Sequence, residues 1–294
     1  MLFVSPPIET GALEHLVEIK LTLRVLTLKV TKIRGQSSVR KVQKMQIISQ
    51  KEIANQVYEL ILSGDLVKMM WQAGQFVNVK VTDVNEPLLR RPISICNLNH
   101  DLSQLTLIYR AEGFGTRLLA TKQKGDHVDI LGPLGSGYDL SKVRPEETIV
   151  LVGGGIGVPP MYELAKQLKR NGNKVIVILG FRSKEDVFYE DTFTEYADVY
   201  IATMDGSYGF KGNVLELIQA EDIEFDWIFG CGPTIMLKAI DEAFGKIKKG
   251  YLSFEERMAC GIGACYACTC KLNNMKVARV CKEGPVFKLG EVSL

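Results

Sequence analysis

Four cysteines near the end of the chain constrain it more than anything else. The run Cys260-Gly261-Ile262-Gly263-Ala264-Cys265-Tyr266-Ala267-Cys268 is followed, thirteen positions on, by Cys281. Three thiolates on one tight loop and a fourth from a separate segment form a C-x4-C-x2-C pattern with a distant partner. That spacing suits a two-iron core, because the loop must wrap it closely enough to aim backbone N–H groups at the sulfurs. Gly261, Gly263 and Ala264 leave room for that approach, and the glycines tolerate the dihedrals it needs. The spacing predicts a [2Fe–2S] cluster held by Cys260, Cys265, Cys268 and Cys281.

It is the spacing used by plant-type ferredoxins. A structural zinc site also takes four thiolates, but it usually draws them from two C-x2-C knuckles, and only one such pair is present. Disulfides fit poorly, since the chain has seven cysteines and five of them fall within twenty-two residues. Cys270 lies two positions beyond Cys268; only Cys268 preserves the x2 spacing.

At 294 residues, 46% hydrophobic and 24% charged, the chain has the make-up of a soluble protein of two or three domains. Its net charge of +2 is too small to argue for nucleic acid or an anionic membrane. No apolar run approaches the ~18–20 residues of a membrane span. Clustered, reduced cysteines point to a cytoplasmic location. Residues 1–44 differ from the remainder: they carry a net +5, which leaves −3 for 45–294. Val17, Ile19, Leu21, Leu23 and Val25 alternate with polar residues and read as a strand, and Gly35-Gln36-Ser37-Ser38 as a loop. Acids precede this apolar stretch and bases follow it, which is not the layout of an export signal. The segment reads as an N-terminal extension of unknown role, with the core starting at Met45.

From 45 to 142 the chain is β-rich. Gln46–Ser49, Gln56–Leu62, Gln75–Val81, Ile93–Cys96, Leu105–Arg110 and His127–Leu131 are short runs rich in β-branched and aromatic residues, separated by turn residues, which predicts a small antiparallel barrel. The segment from Gly132 to Gly137 reads as a closing loop. Inside the barrel, Arg90-Arg91-Pro92-Ile93-Ser94 begins a strand. By itself it is two solvated arginines, but a guanidinium fork also suits a diphosphate. A one-electron cluster needs a redox partner, and a flavin is the usual one.

From 143 to 250 strands alternate with helices. Thr148–Val152, Lys174–Leu179, Val199–Thr203 and Trp227–Gly230 predict a buried parallel sheet. Gly153-Gly154-Gly155-Ile156-Gly157-Val158-Pro159-Pro160 turns from the first strand into a helix, Met161–Arg170, an arrangement that receives pyrophosphate. It departs from G-x-G-x-x-G, and Gly180-Phe181-Arg182 stands where an acid would bind a ribose. Cys231-Gly232-Pro233 ends the fourth strand at the ligand-binding edge; a lone Cys there is more often packing than chemistry. The expected fold class is therefore mixed β and α/β: an antiparallel flavin-binding β-barrel, a parallel-sheet nucleotide-binding domain, and a small [2Fe–2S] domain over 251–294.

This order resembles the ferredoxin–NADP reductase superfamily. Arg90–Ser94, Gly153–Pro160, Asp205-Gly206-Ser207-Tyr208-Gly209, Cys231–Pro233, Glu256–Cys268 and the tail Val280–Phe287 are similar to the electron-transfer subunits of NAD-dependent dihydroorotate dehydrogenase, type B. The resemblance runs from Met45 to the end. It implies FAD held by Arg91, Pro92, Ile93 and Ser94, with Arg91 on the diphosphate and Ser94 near the ring. Ile108, Tyr109, Arg110, Gly115 and Thr116 would complete that site. Gly153, Gly154, Gly155, Gly157 and Cys231 would face NAD, although Arg182 would also suit an NADP 2′-phosphate. The implied partner is a catalytic subunit with FMN that oxidises dihydroorotate, in a heterotetramer of two of each subunit, within pyrimidine biosynthesis. Electrons would leave it one by one through the cluster to FAD and then to NAD+. No catalytic base for dihydroorotate is expected in this chain. The competing readings are an NAD(P)H-dependent reductase of another pathway and a zinc-stabilised binding module.

Overall fold

The computed structural model describes residues 39–84 and 86–294. The architecture described is that of the compact unit Arg40–Leu294. The strand and loop read from Val17 to Ser38 lie outside the described residues.

Six strands close the barrel in the order β1-β2-β5-β4-β3-β6: β1 (Lys41–Ala54), β2 (Val57–Ser63), β3 (Phe76–Lys80), β4 (Arg91–Asn99), β5 (Gln104–Arg110) and β6 (His127–Leu134). Every neighbouring pair is antiparallel. Alternation drives closure, because Met45, Ile47, Val77, Val79, Ile93, Ile95, Leu105, Leu107, Val128 and Ile130 point inward and fill one core. The short helix α1 (Phe114–Ala120) follows β5 and seats Leu119 in that core.

Two expectations are corrected here. β1 begins at Lys41, ahead of Met45, and pairs with β6 from there, so the strand crosses the 44/45 boundary. The Gly132–Gly137 run is not all loop: β6 continues to Leu134, with Gly132 opposite Lys41. Gly132 suits that place because a methyl there would stand 2.8 Å from Val77 Cγ1.

The second layer is a seven-stranded sheet. Its elements are β7 (Thr148–Gly154), α2 (Pro159–Arg170), β8 (Lys174–Phe181), α3 (Glu190–Phe193), β9 (Asp198–Thr203), β10 (Phe210–Lys211), α4 (Val214–Ala220), β11 (Trp227–Cys231), α5 (Thr234–Phe244) and β12 (Lys249–Ser253). β13 (Thr269–Lys271) and β14 (Val277–Arg279) form a separate hairpin, and β15 (Val286–Lys288) returns to the sheet. The strand order is β10-β9-β8-β7-β11-β12-β15; all pairs are parallel except the last. β12 crosses the 250/251 boundary, and β15, from the cysteine-bearing tail, supplies the outermost strand.

Polar contacts fix the barrel against the sheet layer. β4 carries a register shift between Ile95 and Asn97, just ahead of Leu98. The buried Glu163 of α2 accepts from Leu98 N at 3.0 Å, and Lys166 Nζ donates to Leu98 O at 3.2 Å and to Glu163 at 3.0 Å. A buried ion pair is tolerated only when its remaining hydrogen bonds are met, and here the barrel meets them. Across the other junction, Ser136 N donates to Gly284 O at 2.7 Å, tying the end of the barrel to the tail.

Candidate functional site

The cysteine loop is built around sulfur acceptors. Gly261 and Gly263 hold φ of 67° and 82°, and Tyr266 holds 59°, so the chain curls and its N–H groups face inward. Ile262, Ala264 and Cys265 N–H groups donate to Cys260 Sγ at 3.5, 3.3 and 3.4 Å. Gly263 N donates to Cys281 Sγ at 3.1 Å and Cys281 N to Cys268 Sγ at 3.4 Å. Burial pushes the Cys260 thiol up, but the N–H groups of Ile262, Cys265 and Ala264 and the Cys265 side chain outweigh it, bringing Cys260 down to about 6. Burial, with the adjacent Cys268, pushes Cys281 up to about 12.

Cys265 lies near enough to Cys260, and Cys268 to Cys281, to act on its thiol, with Cys260 acting on Cys281 more weakly. One pair per iron is what a binuclear core requires. All seven cysteines are free thiols. Among the described residues no three His, Cys, Asp or Glu side chains gather as ligands of a single ion, so the fit to two irons rests on the paired thiols and the N–H groups aimed at them. Cys270 is set apart on β13, opposite Ala278 of the hairpin.

Arg279 braces this loop. Its guanidinium donates to Gly263 O at 2.7 Å, pairs with Glu283, and stacks over the Tyr266 ring at 4.7 Å. The side-chain hydrogen bond from Arg279, helped by its backbone N–H and charge, outweighs the upward push of burial on Glu283 and holds its carboxyl down at about 2.

β3 and β6 lie beside the loop, since a methyl on Gly261 would meet Asn78 and Leu134, and β4 is the strand next to β3. Ile93 and Ile95 face the barrel core, so Pro92 and Ser94 face out, Pro92 exposed and Ser94 half-buried. Arg91 stands against α1: a methyl on Gly115 would sit 2.4 Å from its Nε. The missing side chain makes room for the guanidinium itself, which donates to Leu89 O and sets a cation at the turn into α1. Thr116 Oγ1 accepts from Gly113 N at 3.1 Å and donates to Gly113 O at 3.0 Å, shaping the turn into α1. Arg90 is structural, pairing with Asp129 at 2.8 Å and donating to Asn78 O at 3.3 Å. The side chains of Ile93 and Tyr109 belong to the barrel core, with Tyr109 OH donating to Gln50 Oε1 at 3.1 Å, and Ile108 packs into the sheet-side core. Only the main chain of these three remains for a ligand.

A cavity of about 810 Å³ opens at the carboxyl edge of the sheet, with Arg110, Gly154, Gly155, Arg182, Gly232 and Glu255 among its walls. Gly154 and Gly155 line it as expected. Gly153 and Gly157 are not in its lining: they allow β7 and α2 to approach their neighbours, since a methyl on Gly157 would lie 2.3 Å from Cys231 O and one on Gly153 2.9 Å from Val158 Cα. Cys231 is 1% exposed and lies behind the wall, its thiol pushed up by burial. Arg110 reaches the cavity from the barrel and is held by Glu112 and Asp186, each at 3.7 Å.

Known proteins match the chain in the same three parts. Residues 41–138 match an oxidoreductase FAD-binding domain and 151–242 an oxidoreductase NAD-binding domain. Residues 255–293 match the iron–sulfur cluster binding domain of dihydroorotate dehydrogenase B. The dihydroorotate dehydrogenase B (NAD(+)) electron transfer subunit of Bacillus cereus (strain B4264) is 51% identical over 256 residues, which is 86% of this chain and 98% of the relative. The same subunit of Bacillus mycoides (strain KBAB4) matches to the same extent. The chain belongs to the dihydroorotate dehydrogenase B electron-transfer subunits.

Members of this family take FAD, a [2Fe–2S] cluster and NAD, and the three parts of this chain correspond. Among solved structures, an NADH-dependent reduced ferredoxin–NADP oxidoreductase studied for flavin-based electron bifurcation has a TM-score of 0.76 at 27% identity, covering 88% of this chain and 91% of its own. Two residues of the electron-transfer subunit escaped sequence reasoning. Arg279 carried a faint signal, an acid four positions on and a ligand candidate two positions on. Asn78 carried another, as the one polar side chain in the run Phe76–Val79.

Proposed function

We propose that this chain moves electrons between NAD and a partner subunit that oxidises dihydroorotate with FMN, in a cytoplasmic heterotetramer of two of each subunit. One observation carries the reading. The cysteine loop abuts the barrel wall on one side and is open to solvent on the other, where Cys265 is exposed and Tyr266 is 61% exposed. A cluster there has a flavin strand at its back and a free face for a redox partner.

In this reading Cys260 and Cys265 hold one iron, Cys268 and Cys281 the other. Arg91 and Gly115 receive the FAD diphosphate, with Thr116 shaping the turn beside it. Pro92 and Ser94 form the platform for the flavin ring, and the backbone of Ile93 and Ile108–Arg110 completes the site. Gly154 and Gly155 receive the NAD pyrophosphate, while Gly153, Gly157 and Cys231 support the wall behind. FAD held by these residues would supply both one-electron and hydride chemistry. Arg279 keeps the cluster loop curled, and the Glu163–Lys166 contacts keep the platform facing the nucleotide cavity.

Every strand among the described residues belongs to the barrel, the sheet or the β13–β14 hairpin, and in this reading dihydroorotate oxidation falls to the partner subunit. The test is to purify the chain alone and with its FMN partner. Alone, it should oxidise NADH with an artificial acceptor and leave dihydroorotate untouched; together, the two should form orotate while reducing NAD+. Orotate formation by the lone chain would sink the division of labour. The likeness to a bifurcating reductase favours a second reading, delivery of NAD(P)H electrons to a ferredoxin-type acceptor, and failure to couple with the FMN subunit would select it.

A further inference from the structure

Asn78 sits where the flavin barrel meets the cluster loop, and its side chain is unexplained by packing. On β3, Val77 and Val79 fill the barrel, so Phe76 and Asn78 point outward. Its register partner is Pro92, and that of Phe76 is Ser94, so Asn78 borders the flavin platform. On its other side is the cysteine loop: a methyl on Gly261 would lie 2.1 Å from Asn78 Nδ2. The residue is 1% exposed, yet neither Nδ2 nor Oδ1 has a hydrogen-bond partner among the described residues.

A buried amide without partners is destabilising, and a leucine of nearly the same shape would avoid that cost. The strand is firmly placed, because Arg90 donates to Asn78 O at 3.3 Å while pairing with Asp129. The amide is therefore presented rather than misplaced, and it has one donor edge whichever way it is turned. What it lacks is an acceptor beside Cys260-Gly261. Cluster thiolates and sulfides are acceptors only, and every other donor found in this loop already points at sulfur.

We propose that Asn78 is the barrel's hydrogen-bond donor to the cluster, aimed at the sulfur on the Cys260 side, and that it raises the cluster's reduction potential. The inference rests on the ligand assignment proposed above. Reduction adds one electron to the cluster, and a donor to sulfur stabilises the more negative state. Removing the donor therefore makes the cluster harder to reduce.

The experiment is a redox titration of the full chain with FAD and cluster in place, followed by low-temperature EPR, for wild type, Asn78→Leu and Asn78→Asp. Asp keeps the size if Leu disturbs folding. Both variants should keep stoichiometric FAD, iron and sulfide while their cluster midpoint shifts to more negative potential, with Asp shifting further because it adds a charge. Unchanged midpoints and g-values would overturn the proposal and leave Asn78 as packing. Variants that fold and bind FAD but assemble no cluster would also overturn it, since a tuning donor leaves four thiolates intact. A wild-type protein without a [2Fe–2S] signal would remove the ligand assignment itself, and the proposal with it.

Discussion

The nucleotide turn and the cysteine loop both rely on glycine, for opposite reasons. Gly157, at the start of α2, has no unusual dihedral; it is there because β11 passes so close that a methyl would strike Cys231 O. Gly261 and Gly263 instead hold positive φ, which curls the loop and turns its N–H groups onto sulfur. Gly157 is needed for absence of volume, whereas Gly261 and Gly263 are needed first for freedom of rotation. A turn that cradles a whole phosphate can be a rigid wedge between strand and helix, whereas a loop that grips metal must reverse direction within a few residues.

The largest effect should separate these two demands. Gly157→Ala forces backbone against backbone and should cost about 3 kcal/mol or more, read as a lowered urea midpoint and lost NADH oxidation. Gly261→Ala comes next. Its left-handed backbone costs about 1–2 kcal/mol and its methyl meets the Asn78 amide, so iron content should fall while FAD stays bound. If Gly261→Ala retains full iron and Gly157→Ala loses it, the contrast is wrong. Gly155 combines a φ of 52° with open space around it. Gly155→Ala should therefore cost only about 1 kcal/mol and weaken NADH binding by narrowing the cavity, visible as a raised KM with little change in melting.

The smallest expected effect is a pH dependence at the base of the sheet. Glu147 accepts from Arg144 N at 2.7 Å and from Trp227 Nε1 at 3.0 Å. Burial pushes its carboxyl up, but these hydrogen bonds and Arg144 outweigh it and hold it below the ordinary value of 4.5. A depressed carboxylate contributes stability that is fully present above 4.5 and lost as pH falls through its folded value. Glu147→Gln should flatten the acid limb of the unfolding curve in that window without changing cluster or flavin content.

Most of the architecture was legible because it is written in local pattern. Short runs of β-branched and aromatic residues between turn residues marked all six barrel strands, and continuous apolar runs marked β7, β8, β9 and β11. The four thiols were legible for the same reason: three of them share nine residues. β12 and β15 were missed because a five-residue and a three-residue strand flank the cysteine motif and gain their identity only by pairing, β12 with β11 and β15 with β12. The start of β1 at Lys41 depends on β6 lying alongside, which no run in the first forty-four residues announces. Tyr109 and Cys231 were placed at ligand faces by resemblance; the pleat turns Tyr109 into the barrel, and close packing of β11 hides Cys231. Asn78 and Arg279 act across the boundary between segments, so their importance appears only once strand faces are known.

The antiparallel pairing of Tyr251–Ser253 with Val286–Lys288 makes the metal-bearing tail a hem stitched along the border of the sheet. Cut at Phe254, the remaining protein would show a raw, unpaired β12 margin able to template pairing with another copy. A cluster-free version of this reductase is thus better sought by replacing cysteines than by trimming. The same stitch means that the iron module cannot wander from the nucleotide module, so the path between them keeps one length.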